Sequence, residues 1–108
     1  MISLISDNLE KIVALCREYR MRKLEVFGSA VTGSFNPETS DVDFIVDVGG
    51  YEDGVSRRYL DFIAALEDLL DRQIDLVTDD SITNPYFREA VDEQKVLIYE
   101  AGDREAAA

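Results

Sequence analysis

Phe27-Gly28-Ser29, eleven residues, then Asp41-Val42-Asp43-Phe44-Ile45-Val46-Asp47-Val48 is the stretch that decides how this chain folds. The second part alternates polar and apolar residues, which predicts a strand over residues 41–48. Successive strand side chains point to opposite faces, so Asp41 and Asp43 project to the same side. Two carboxylates on one face of an otherwise apolar strand repel each other unless a cation lies between them. Hard oxygen ligands of this kind suit Mg²⁺, which usually takes one or two carboxylates together with substrate phosphates. The Gly-Ser turn complements them. Glycine lets the main chain approach a ligand closely, and a serine hydroxyl can donate to a phosphate oxygen. Taken singly, each element has a plainer explanation, as a common turn and a solvated strand end. Their combination is far more specific.

A third carboxylate joins the pattern. Gln73-Ile74-Asp75-Leu76-Val77 reads as a short strand with Ile74 and Leu76 on one face and Asp75 on the other. If it pairs beside the first, Asp75 shares a surface with Asp41 and Asp43. Two metal ions roughly 3.5–4 Å apart need about this many carboxylates.

These residues resemble the motif of the DNA polymerase beta superfamily of nucleotidyltransferases, in its minimal form. The family pattern is a hydrophobic residue, Gly, Gly or Ser, a gap of about ten, then Asp-hydrophobic-Asp-hydrophobic. It stands here as Phe27-Gly28-Ser29 and Asp41-Val42-Asp43-Phe44, with the family's third acid at Asp75, and the resemblance spans residues 9–99. It implies that Asp41, Asp43 and Asp75 are catalytic and hold two Mg²⁺ ions, with Gly28 and Ser29 on the phosphates of ATP. One departure is visible. Many relatives read Gly-Ser-x-Ala-Arg-Gly, whereas this chain has Thr32 where that arginine stands.

Proteins of this size resemble the antitoxin half of bacterial HEPN/MNT toxin–antitoxin pairs. That resemblance implies a HEPN ribonuclease partner, a hetero-oligomer (a homodimer stays open), and transfer of AMP from ATP to a tyrosine of the toxin. Two other readings stay open. One is neutralisation by binding alone, and the other is a small-molecule nucleotidyltransferase subunit completed by another chain.

Size and composition bound the rest. A chain of 108 residues with 46% hydrophobic content forms one domain with one core, expected over residues 1–101 with a frayed tail at 102–108. Twenty-three acidic against 11 basic residues give a net charge of −12. Nucleic-acid affinity rests on Lys and Arg neutralising phosphates, so direct binding to DNA or RNA is disfavoured, as is an anionic membrane. A basic protein partner is compatible with this charge. There is no histidine, which excludes Ser-His-Asp and Cys-His catalysis. The lone Cys16 reads as a packed core thiol, and a single cysteine fits a reducing cytoplasm. No secretory signal and no membrane span is expected.

The remaining elements follow from periodicity. Leu9, Ile12, Val13, Cys16 and Tyr19 predict a helix over residues 7–20, capped by Ser6 or Asp7. Leu24 and Val26 lead a strand into Gly28, with a short helical turn at residues 30–32 and a loop over 33–40. Residues 49–54 read as a glycine-rich connector, with a cover over the site as the second possibility. Ser56 is expected to cap a helix to Asp71, whose stripe is Tyr59, Phe62, Ile63, Leu66, Leu69 and Leu70. Asn84-Pro85 opens a short helix, and residues 95–99 read as the last strand. Strands alternating with helices predict an α/β layer, with helices packed on a small mixed sheet. The resemblance names this as the nucleotidyltransferase (polymerase beta-like) fold.

Overall fold

The computed structural model describes residues 2–33, 36 and 40–101. The strands β1 (Lys23–Phe27), β2 (Val42–Asp47), β3 (Ile74–Thr78) and β4 (Val96–Glu100) form one sheet in the order β3-β2-β1-β4. β1 is antiparallel to both β2 and β4, whereas β2 and β3 are parallel. The mixed sheet expected from the sequence is therefore present, with β3 and β4 at its edges. The helices are α1 (Ser3–Ser6), α2 (Leu9–Glu18), α3 (Ser29–Thr32), α4 (Val55–Leu70) and α5 (Pro85–Gln94). The expected tail at residues 102–108 and residues 34, 35 and 37–39 of the loop lie outside the described residues.

The sheet has two different faces. Leu24, Val26, Val42, Phe44, Val46, Ile74 and Leu76 form one, packed with Ile12 and Cys16 of α2 and Phe62, Leu66 and Leu70 of α4. Phe44, Phe62 and Leu66 are completely buried, and removing such side chains from water stabilises by about 1.5–3 kcal/mol each. The opposite face carries a smaller apolar cluster of Phe27 and Ile45, closed by Ile82 and by Val91 of α5. Cys16 is buried as expected, and burial pushes its thiol up to about 12, so it stays protonated and unreactive.

Four local expectations need correction. The helix expected over residues 7–20 is α2, Leu9–Glu18, shorter at both ends, and a separate short helix, α1, precedes it. The sequence reading missed α1, which buries Ile5 completely in the core. Ser6 and Asp7 do not cap α2. Ser56 does not cap α4 either, because Gly54 at φ 89° takes that position and accepts the Arg58 amide. The stripe on α4 is narrower than expected: Phe62, Leu66 and Leu70 are buried, while Tyr59, Ile63 and Leu69 are only partly so. The Asn84 cap is as expected, its side-chain oxygen accepting the Tyr86 and Phe87 amides at 2.9 and 3.1 Å.

Periodicity gave no warning of Arg58, a buried cation on α4. Its guanidinium donates to the carbonyls of Tyr19, Arg20 and Val48 and to the Glu52 carboxylate at 2.9–3.2 Å. It closes the end of α2 at Arg20, whose φ is 55°, and ties the 49–54 connector to the end of β2. That connector lies at the Val48 end of β2, the opposite end from Asp41. Among the described residues no helix is long and apolar enough to cross a membrane.

Arg58→Met should keep the packing of the side-chain stem while stranding these carbonyl oxygens. Leaving buried polar groups unpaired costs about 1–3 kcal/mol. Urea unfolding should show that loss at unchanged m-value; an unchanged midpoint would show that water replaces the guanidinium.

Candidate active site

Strand register assembles the candidate residues. The antiparallel pairing of β1 with β2 sets Phe27 opposite Asp43, so the chain leaves β1 at Gly28 beside the start of β2. The parallel pairing of β2 with β3 sets Asp43 directly opposite Asp75. Asp41, two residues before Asp43, precedes the strand and is near enough for its charge to act on Asp43. The three carboxylates therefore gather at one end of the face that carries Phe27 and Ile45. Asp41 and Asp75 are exposed, while Asp43, between them, is half-buried.

The Asp43 carboxyl is pushed up from 3.8 to about 6. Burial is the main cause, followed by the charge of Asp75, a hydrogen bond with Asp75 and the charge of Asp41. All of these effects act in the same direction. Among the described residues no three carboxylate or thiol groups are already arranged to hold a metal ion. The donor chemistry nevertheless fits a hard dication: oxygen ligands whose own charges disfavour one another.

The turn after β1 is built around a close approach. Gly28 sits at φ 75°, ψ −147°, a region that other residues rarely adopt. A Cβ there would lie 2.4 Å from Asp43 Oδ2, so the glycine backbone packs directly on the carboxylate. The Gly28 carbonyl accepts the Val31 and Thr32 amides at 2.9 and 3.0 Å and starts α3. Gly28 is the N-cap of α3 and Ser29 its first residue, so Ser29 is not needed as the cap. Thr32 is exposed at the end of this short helix.

Two neighbours were invisible in the sequence. Gln94, the last residue of α5, accepts the Gly28 amide through Oε1 at 2.8 Å, across 66 residues of chain. Arg72 donates to the Ser40 carbonyl at 3.2 Å, next to Asp41. Neither has a local signal, since a polar residue at a helix end and an arginine before a strand are ordinary surface features.

The family model for the nucleotidyltransferase domain matches residues 9–98. The chain belongs to that family. This nucleotidyltransferase is 32% identical over 98 residues to a Methanocaldococcus jannaschii protein provisionally named a protein adenylyltransferase, covering 90% of this chain and 97% of the relative. It superposes on the solved structure of a protein provisionally described as a minimal nucleotidyltransferase with a TM-score of 0.68, at 28% identity, over 88% of this chain and 95% of the other. It has the same fold as a chain in the structure of a tri-AMPylated Shewanella oneidensis HEPN toxin in complex with its MNT antitoxin. There the TM-score is 0.62 at 21% identity, covering 94% of this chain and 77% of that one. The four-stranded mixed sheet is thus the nucleotidyltransferase fold, and the protein is a nucleotidyltransferase enzyme.

Gly28→Ala forces a methyl group onto Asp43 in a backbone region unsuited to alanine. Such strain costs on the order of 1–3 kcal/mol. Thermal and urea unfolding should both show the loss, and a variant as stable as wild type would mean that the turn can relax away from Asp43.

The Asp43 shift carries a pH signature. A carboxyl raised in the folded state binds more protons there than in the unfolded chain. Its contribution to stability therefore falls as pH rises from 3.8 through about 6. Asp43→Asn should raise the thermal midpoint in chelator-containing buffer at pH 8, and should change it least at pH 4. An equal effect at both pH values would refute the electrostatic origin.

Proposed function

We propose that this nucleotidyltransferase moves AMP from ATP to a tyrosine of a HEPN-type toxin and thereby acts as its antitoxin. The observation that carries the reading is the register of β1, β2 and β3, which sets Asp43 against both Asp75 and the Gly28 turn. A phosphate turn packed on paired carboxylates is suited to placing a triphosphate beside an acidic cluster. Membership of the nucleotidyltransferase family and likeness to a protein adenylyltransferase support the reaction class. Likeness in fold to a protein found with an AMPylated HEPN toxin supports the partner. The net charge of −12 agrees with a protein acceptor rather than a nucleic acid.

In this reading Ser29 contacts the outer phosphates through its hydroxyl and, with Gly28, orients the α-phosphorus for in-line attack. Asp41, Asp43 and Asp75 are the residues that would hold two Mg²⁺ ions, which when bound neutralise charge on the phosphate oxygens. Asp75, the most exposed of the pair it forms with Asp43, also accepts the proton of the incoming tyrosine hydroxyl. The tyrosine oxygen forms a bond to the α-phosphorus as the bond from that phosphorus to the bridging oxygen breaks. Pyrophosphate leaves with the electron pair. The protein's contribution is positioning and charge stabilisation, with no covalent enzyme intermediate.

Intact mass spectrometry decides between transfer and mere binding. The chain is incubated with a HEPN-type toxin as partner, ATP and Mg²⁺, and then removed. The partner should gain the mass of one or more AMP groups on tyrosine and remain inactive, because a covalent change outlasts dissociation. Asp43→Ala should add no mass and fail to protect cells. Full protection by that variant, with an unmodified partner, would establish neutralisation by binding alone.

A further inference from the structure

We infer that Gln94 is a positioning residue for the phosphate turn, and that it sets the affinity of this enzyme for its nucleotide; the inference rests on the nucleotidyl-transfer reading above. The Gly28 amide donates to Gln94 Oε1 at 2.8 Å, and the Gly28 carbonyl on the other side receives Val31 and Thr32. Both sides of this glycine are thus held. The restraint matters here because Gly28, in a conformation with φ 75°, has more backbone freedom than any other residue type would have. A small rotation would move the turn off the Asp43 carboxylate on which it packs.

Gln94 can serve as an anchor because α5 is itself fixed to β1. Val91 is buried against the Phe27 cluster, and Phe87 meets the Phe27 ring edge-on at 6.2 Å between centroids. Lys95, the next residue, pairs with Glu25 of β1 at 3.5 Å and with Asp92 at 3.0 Å. Glu25 is buried, so this pair is shielded from water more than a surface ion pair. The last turn of α5 therefore grips β1 at Glu25 and, through Gln94, the residue just beyond the strand. A turn held in one conformation binds phosphate without the loss of affinity that a fluctuating turn incurs.

The same hydrogen bond satisfies the Gly28 amide inside the protein. Gln94 thus fixes the Gly28 backbone from which Ser29 follows.

Gln94→Met, similar in length but without a strong acceptor, tests this, with Gln94→Glu as the variant that keeps an acceptor oxygen. Three readouts are taken on each full-length chain: the Gly28 amide in ¹⁵N–¹H spectra, Mg·ATP affinity by calorimetry, and the urea midpoint. In Gln94→Met the Gly28 amide should shift and exchange faster, and nucleotide affinity should fall about tenfold, the scale of one lost hydrogen bond. In Gln94→Glu the Gly28 amide should stay protected. Should Gln94→Met be unfolded, Gln94→Asn, one methylene too short to reach, replaces it with the same expectation. A lower urea midpoint with unchanged nucleotide affinity would make Gln94 merely structural and overturn the inference. So would a Gly28 amide indifferent to Gln94→Met. A wild-type chain that binds no Mg·ATP would instead overturn the nucleotidyl-transfer reading, and with it the affinity role of Gln94.

Discussion

The packing of the Gly28 backbone on the Asp43 carboxylate is the contact around which the rest of the site is arranged. Neither residue could be moved without the other. The β1–β2 register brings Phe27 opposite Asp43, and one residue later the chain must turn away in the only space the carboxylate leaves. A side chain would occupy that space, so a glycine is required for steric reasons before any ligand is considered. The same register continues into β3 and sets Asp75 against Asp43. Three elements distant in sequence are aligned by two strand pairings, so the site inherits its precision from the sheet.

That arrangement is electrostatically unfavourable in the protein alone. Half-burial and two neighbouring carboxylates raise the Asp43 carboxyl to about 6. A fold tolerates such a cluster only if stability comes from elsewhere, and the division of the sheet supplies it. One face is apolar along its length and packed by α2 and α4. The other carries a smaller apolar cluster in which Phe27 and Ile45 meet Val91 of α5, and the carboxylates gather immediately beside it. Strained and charged groups concentrated at one end of a well-packed scaffold are characteristic of functional sites.

The small size of the domain makes α5 do two things at once. It covers the second apolar cluster, and its last turn reaches the phosphate turn through Gln94 and β1 through Lys95. At the opposite end of the sheet Arg58 plays a comparable part for the connector after β2, drawing three carbonyls from two segments onto one guanidinium. In both places a single polar side chain satisfies backbone groups that a larger protein would cover with additional structure.

The sequence by itself determined the strands, the main helices and the identity of the acidic residues. Alternation of apolar residues encodes a face, so Asp41-Val42-Asp43 and Ile74-Asp75-Leu76 declare which side each carboxylate takes. Helical periodicity placed α4, and Asn84-Pro85 marked the start of α5 through local hydrogen bonding that needs no distant partner. Local pattern failed where the deciding contact was distant. A separate short helix before Asn8 buries Ile5, and Gly54 displaces Ser56 as the start of α4. The burial of Arg58 depends on carbonyls 10–39 residues away. Only the tertiary structure decided that Asp43 faces Asp75, that Gly28 lies against Asp43 and that Gln94 holds the turn. Register and helix docking are set by how whole faces fit together, and no short stretch of sequence contains that information.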